Sequence, residues 1–385
     1  MGITQNIKNR EFQVFFKPIG PRCNLNCSYC YYLEKSELFQ DGVSVMNDHL
    51  LELCIRQQID ATTEQVITFS WHGGEPLLAG LDFYRKAAAF QKKYCPPGKK
   101  ILNGIQTNGT LLSDEWCRFL SDERFIVGIS IDGPEDLHDK FRKTKDGKGT
   151  FTKVLKGFDL LIMHGIEPEI LCVVNSVNSH HPLAIYDFFR HLGISYITFI
   201  PLVEKIDPHM SVSDRSVNPE VFGKFLCNIF DAWLARDVGK IRIQIFEEAL
   251  RTAFNQDHTL CIFKKNCGGV PVIEHNGNFY SCDHFVTPEY NIGNINSSPI
   301  DEMLDSKHQT AFGRLKSETL PAYCRKCEVI EMCNGECPKN RFTSTNDGET
   351  GLNYLCAGYR KFFNHCTPFI DTVKRITGKS DALLR

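Results

Sequence analysis

Residues 12–30 read FQVFFKPIGPRCNLNCSYC, a strand-length apolar and aromatic run that leads into a loop carrying three cysteines. The run Phe12 to Lys17 opens a series that continues to about residue 203, in which short apolar, β-branched or aromatic stretches alternate with longer amphipathic ones. That alternation is the pattern of repeated βα units around a parallel sheet. The further strand candidates are Val66 to Trp71, Ile101 to Thr107, Ile126 to Ile131, Glu169 to Val174 and Tyr196 to Ile200. Helix-like segments lie between them: His49 to Ile59, Phe83 to Lys93, Asp114 to Leu120, Thr152 to His164 and Leu183 to Leu192. Six such units predict an α/β fold, a partial (βα)6 barrel rather than a closed eightfold one.

Polar or glycine-bearing residues follow the strand ends: Cys23 to Cys30 after the first, Gly73 to Pro76 after the second, Asn108 after the third, Asp132 after the fourth. Active sites of βα barrels and open α/β sheets gather at the carboxyl ends of the strands, so these loops are expected to converge on one mouth. At 385 residues the chain exceeds the size at which one core keeps growing. The expected division is a barrel over residues 1–216, a helical bridge over 217–256 built on Pro219 to Phe254, and a cysteine-rich tail with a C-terminal helix over 257–385. In the tail, Val270 to Glu274 and Asn278 to Ser281 flank His275-Asn276-Gly277, a tight-hairpin signal in which both central residues take positive φ.

A net charge of -2 with 23% charged residues gives no field that would gather nucleic acid or an anionic membrane. The opening MGITQNIKNR lacks the apolar core of a secretory signal, and no stretch offers about 18 uncharged apolar residues, so a cytoplasmic protein is expected. In that reducing compartment seventeen cysteines are not a disulfide scaffold. Cys54, Cys95, Cys117, Cys172, Cys227 and Cys366 are scattered singly and read as core packing. Cys23, Cys27 and Cys30 place three thiolates on one loop, enough for three irons of a four-iron cluster whose fourth iron stays open to a chelating small molecule. A zinc knuckle with a distant fourth ligand would use the same triplet. The tail runs Cys261, Cys267-x9-Gly277-x4-Cys282, then Cys324-x2-Cys327-x5-Cys333-x3-Cys337, then Cys356. Eight thiols divide into two closed sets of four, a count that paired zinc sites would also satisfy.

The spacing C-x3-C-x2-C followed by Tyr31 resembles the radical S-adenosylmethionine superfamily. That resemblance implies an open iron chelated by the methionine end of S-adenosylmethionine, whose reductive cleavage gives a 5'-deoxyadenosyl radical. Gly73, Gly74, Glu75 and Pro76 look like the segment that receives the methionine amino group. Ser130 and Arg142 resemble the ribose and carboxylate contacts, with Tyr29 and Val203 as further contacts. The tail is similar to the SPASM domain, which implies two auxiliary four-iron clusters, one on Cys261, Cys267, Cys282 and Cys337, the other on Cys324, Cys327, Cys333 and Cys356.

Within that group the chain most resembles the anaerobic sulfatase-maturating enzymes, through GGEPLLAGL (Gly73 to Leu81), QTNGTL (Gln106 to Leu111), the segment Gly128 to Pro134, ILCVVNS (Ile170 to Ser176) and Cys282-Asp283. The resemblance implies oxidation of a cysteine or serine in an unfolded sulfatase segment to formylglycine, with Asp283 as the base and flavodoxin or ferredoxin as the reducing partner. His72 stands where related enzymes carry Gln. A maturase forming thioether or carbon–carbon crosslinks would share every cluster ligand. A redox sensor or electron carrier would not explain the three-cysteine loop or the glycine segment.

Overall fold

The structure, a computed structural model, describes residues 11–39, 42, 44–206 and 211–383. Its central element is a sheet of ten strands: β1 (Phe15–Lys17), β2 (Val66–Trp71), β3 (Lys100–Thr107), β4 (Ile126–Ser130), β5 (Glu169–Val174), β6 (Tyr196–Pro201), β7 (Arg242–Ile243), β8 (Val272–Glu274), β9 (Asn278–Tyr280) and β10 (Asn291–Asn294). The order is β10-β9-β8-β1-β2-β3-β4-β5-β6-β7, with β1 to β7 parallel. Phe16, Phe69, Trp71, Ile105, Val127, Ile129 and Ile170 from the parallel strands are buried in the main core.

The five expected helices form as Asp48–Ala61, Leu81–Tyr94, Asp114–Asp122, Phe151–Met163 and Pro182–His191. Two begin on side-chain caps, Asn47 accepting from Leu50 N–H and Ser113 from Trp116 N–H, which satisfy otherwise orphaned donors of the first turn. The bridge departs from a single helical stretch. It breaks after the helix Pro219–Arg236, and Arg242–Ile243 pairs in parallel with Tyr196–Ile197 as a seventh parallel strand before the helix Gln244–Arg251. The turn is fixed by Trp233, whose Nε1–H donates to Ile241 O at 2.7 Å.

The hairpin also departs in detail. Gly277 takes φ +85°, but Asn276 does not share the positive φ of a two-residue turn. Val272 pairs with Tyr280 and Ile273 with Phe279, so three residues close the loop and only the last needs the left-handed conformation. More consequentially, β8 runs parallel to β1, with Lys17 opposite Glu274. The tail therefore extends the barrel sheet at the edge that an incomplete barrel leaves unpaired. At the other end of the tail, the helix Cys356–Leu383 packs on Pro219–Arg236 at a glycine contact. A Cβ on Gly358 would lie 2.3 Å from Pro219 O.

One side chain ties the strand ends that frame the mouth. Glu75 is fully buried and accepts from Leu77 N–H (3.1 Å), Thr107 Oγ1–H (2.7 Å) and Asn108 N–H (2.7 Å), joining the exit of β2 to that of β3. Burial pushes its carboxyl up to about 7 even though these three donors pull it down. Glu75→Gln turns an –NH2 toward at least one backbone donor, and an unsatisfied buried group costs about 1–3 kcal/mol. We expect that loss in the denaturant midpoint, together with weaker S-adenosylmethionine binding in equilibrium dialysis. Unchanged stability in the Gln variant would show that the tie is dispensable.

Candidate active site

The cysteine loop and the glycine loop are zipped together by their backbones. Gly74 N–H donates to Gly20 O at 2.8 Å and Glu75 N–H to Arg22 O at 2.9 Å. Glycine is required there: Gly73 sits at φ +140°, and a Cβ on Gly74 would lie 2.0 Å from Arg22 O. From the β3 exit, Asn108 Nδ2–H reaches Asn24 Oδ1 at 2.9 Å and points to Cys23 Sγ at 3.7 Å. The three loop thiols are part-exposed, and burial pushes Cys23 up to about 12.

Ser130, Arg142 and Val203 lie around the ends of β4 to β6, and Asp132, after β4, ties that end to β5 and to Tyr29 of the cysteine loop. Its carboxylate is buried and accepts from Tyr29 O–H (2.5 Å), from Arg142 Nε–H and Nη2–H (3.0 and 3.1 Å), and from Val173 N–H (2.9 Å). Arg142 thus commits its bidentate face to Asp132, while its charge lies close enough to Cys27 to offset part of the burial that raises that thiol. Ser130 Oγ accepts from Gln106 Nε2–H at 3.2 Å, and Val203 is buried in the main core.

The tail thiols gather in two groups that interleave along the chain. Cys282 is electrostatically coupled to Cys261 and Cys267, and Cys337 to Cys282 and Cys261. Cys333 and Cys356 are each coupled to Cys324, and Cys324, Cys327, Cys333 and Cys356 line one cavity with Tyr323 and Arg360. The backbone is arranged for anionic sulfur. A main-chain N–H two residues onward lowers the pKa of Cys23, Cys282, Cys327, Cys333 and Cys337, from Leu25, His284, Val329, Gly335 and Lys339 respectively. Cys261, Cys267, Cys324 and Cys356 gain no such donor, and Cys54, Cys227 and Cys366 of the scattered set have a lowering backbone donor of their own, so this feature marks only some of the expected ligands. Among the described residues no three His, Cys, Asp or Glu side chains converge on one point as tightly as a single ion requires. Two groups of four thiols, two of each group with a backbone donor, fit four-iron clusters, whose binding displaces the protons that burial holds on these sulfurs.

Asp283 follows Cys282 and starts a short turn over Asp283–Phe285. Lys17 Nζ, only 2% exposed, lies 2.6 Å from Asp283 Oδ1, and Tyr31 O–H donates to Oδ2 at 2.5 Å. Burial opposes charge on this carboxyl, but Lys17 and Tyr31 outweigh it and hold the pKa well below the usual range. Burial lowers His284 to about 4, so near neutral pH it adds no charge and Lys17 supplies the compensation. His72 stacks on Phe15 with centroids 4.0 Å apart, and burial beside Lys17 lowers it to about 3, leaving a neutral ring at this wall. Sequence reading placed Lys17 only at the end of a strand and Asp132 only in a loop. The available signal for Lys17 was a charge closing an otherwise apolar and aromatic run, at a position that β8 then covers.

Residues 18–189 match the radical SAM superfamily, and residues 261–328 match SPASM, an iron-sulfur cluster-binding domain. The chain is 48% identical to a serine-type anaerobic sulfatase-maturating enzyme of Bacteroides thetaiotaomicron, over 95% of this chain and 92% of that one. A cysteine-type enzyme of Clostridium perfringens is 32% identical over 92% of this chain and 96% of its own. The solved structure of native anSMEcpe with bound AdoMet and Cp18Cys peptide superposes with a TM-score of 0.86 at 31% identity, covering 94% of this chain and 99% of that one. With a relative this similar along nearly its whole length, a glycine loop zipped to a three-cysteine loop and eight further thiols in two groups, the chain belongs to the anaerobic sulfatase-maturating enzymes of the radical SAM superfamily.

Proposed function

We propose that this chain oxidises a serine of a sulfatase polypeptide to formylglycine. The observation that carries the reading is the hydrogen bond from Tyr31, the residue after Cys30, to Asp283, the residue after Cys282. It joins the loop of the radical-generating cysteines to the loop of a tail cluster at one carboxylate. Serine specificity is supported by the 48% identity to a serine-type enzyme against 32% to a cysteine-type one. In this reading Cys23, Cys27 and Cys30 hold the cluster that binds S-adenosylmethionine. Cys261, Cys267, Cys282 and Cys337 hold the first auxiliary cluster, and Cys324, Cys327, Cys333 and Cys356 the second.

Converting –CH2OH to –CHO removes two hydrogens and two electrons. When bound, S-adenosylmethionine and the clusters supply the radical that takes one hydrogen atom from Cβ and the sink that takes the remaining electron. The protein's task is the remaining proton. Asp283 is kept ionised by Lys17 and oriented by Tyr31, so it meets the substrate hydroxyl as an acceptor. His72 and His284, both neutral near pH 7, flank it without competing for that role. Gly73, Gly74, Glu75 and Pro76 present backbone to the methionine amino group. Ser130 would offer its hydroxyl to the rest of the cofactor, while Tyr29 and Arg142, both held by Asp132 so that Arg142 is not a free clamp for a carboxylate, and Val203, in the core, would only shape the wall. No helix among the described residues is long and apolar enough to cross a membrane. Separately, from the family resemblance, we propose a cytoplasmic enzyme with flavodoxin or ferredoxin as its reductant.

Three measurements test this. Anaerobically reconstituted protein is expected to hold about twelve irons. Given paired sulfatase peptides of S-x-P-x-R and C-x-P-x-R type, it should yield the aldehyde mass with a higher kcat/KM on serine. A clear preference for the cysteine peptide would overturn the serine assignment, and a crosslinked product would overturn the reaction.

The base is tested by removing two charges together, because Asp283→Asn alone strands the buried Lys17 cation, and breaking a buried pair costs about 3–5 kcal/mol. The double variant Lys17→Met/Asp283→Asn should retain iron content and S-adenosylmethionine cleavage while formylglycine falls about 100-fold or more, the usual scale of general-base loss. Near-normal aldehyde yield from fully clustered double variant would exclude Asp283 as the base.

A further inference from the structure

We propose that the exposed basic face over the first cysteine loop is the docking surface for an acidic one-electron carrier protein that reduces the N-terminal cluster. The inference rests on reading Cys23, Cys27 and Cys30 as ligands of that cluster. Two shallow depressions meet at Leu25 and Lys145. One is walled by Arg22, Cys23, Asn26 and Ser36, the other by Thr110, Thr144, Asp146 and Lys153. Cys23 is thus part of the outer surface as well as of the loop.

The cations above it are held in place by backbone. Asn26 N–H donates to Lys143 O at 2.8 Å, Leu25 bridges to Thr144, and Thr144 N–H donates to Lys148 O at 2.9 Å. A turn of basic residues is thereby fastened to the cysteine loop itself. Arg22, Lys145 and Lys153 are exposed, and none has a carboxylate partner among the described residues. The one carboxylate among the described residues lining the two depressions, Asp146, is paired with Lys148 at 2.7 Å. Three uncompensated positive charges therefore surround a route to one sulfur, on a chain whose net charge is -2. Local fields of this kind steer oppositely charged partners and set on-rates more than final affinity.

Two tail thiols also reach surface depressions with charged walls: beside Cys261 the charges of Glu11 and Lys264 cancel as a pair at 2.6 Å, and beside Cys327 the sign is opposite. Around Cys327 stand Glu328, Asp347 and Glu349 against Lys326 and Arg360, with Glu328 and Arg360 paired at 2.8 Å. An acidic carrier is favoured at Cys23 and disfavoured there. Each encounter hands over one electron: the carrier is oxidised by one, the N-terminal cluster is reduced by one, and no atom or proton moves.

The test compares Lys145→Glu/Lys153→Glu with wild type in two arms, reduced flavodoxin or dithionite as electron source. Flavodoxin binding by calorimetry at low salt should weaken about tenfold or more, and the bimolecular rate of cluster reduction should fall alongside, on the scale of electrostatic steering. In wild type both should also fall as salt rises, and that dependence should flatten in the variant. Dithionite-driven S-adenosylmethionine cleavage and formylglycine yield should stay unchanged. The neutral pair Lys145→Ala/Lys153→Ala should give an intermediate effect. Unchanged flavodoxin binding and reduction would overturn the proposal, as would an equal loss in both arms. A raised peptide KM under dithionite would assign the face to the substrate instead. Failure of wild type to make aldehyde even with dithionite would strike the proposed reaction and leave the docking result readable.

Discussion

The parallel pairing of Phe15–Lys17 with Val272–Glu274 is the contact on which the rest of the arrangement depends. A partial barrel leaves one edge of β1 with unpaired donors and acceptors, which is costly if buried and hazardous if exposed. Here the tail hairpin covers that edge. The same register puts Lys17, the last residue of β1, opposite Glu274 at the end of β8, and the chain then turns through β9 to Cys282 and Asp283. The backbone contact that completes the sheet also delivers the carboxylate to the mouth. Residues more than 250 positions apart meet because two short strands pair.

Burial sets the chemistry on both sides of this seam. Glu75, Asp132, Lys17 and Asp283 are all taken largely out of water, and three different compensations keep them there, Lys17 and Asp283 serving each other. Glu75 has three neutral donors and is left near the edge of ionisation, whereas Asp132 has a bidentate guanidinium and a phenol. Asp283 has a lysine that it shares with no other carboxylate at ion-pair distance among the described residues. A group meant to hold a loop can tolerate partial protonation. A group meant to accept a proton has to be ionised beforehand, and a fixed cation at 2.6 Å achieves that without exposing the site to solvent.

Much of this was legible in the sequence. Period and length located six strands and five helices to within a few residues, because each strand buries alternate residues completely and leaves the others only partly covered, which keeps it rich in apolar and β-branched residues. Cysteine spacing located the three-thiol loop and the eight tail thiols. Three things were not legible. The strand Arg242–Ile243 is two residues long and is defined by its partner rather than by its own composition. The turn at Asn276-Gly277 needed the register of both strands before its length could be counted. Lys17 and Asp132 lack any local pattern that marks a buried charge, since what makes them special is a partner 266 and 10 positions away.

The interleaving of the tail thiols has a consequence for how the protein is made. Cys337, which gathers with Cys261 and Cys282, lies in the chain between Cys333 and Cys356, which gather with Cys324. Neither group is complete until the ribosome has passed beyond position 337, and the second waits for Cys356 at the start of the last helix. That helix lies against Pro219–Arg236 across the Gly223–Gly358 contact, so it is held in place only by a bridge that is itself folded. On the proposed ligand assignment, loading of the two tail groups is thereby placed after synthesis of nearly the whole polypeptide, whereas Cys23, Cys27 and Cys30 emerge within the first 30 residues. A chain stalled before position 337 would carry its tail thiols in pieces that complete neither tail group.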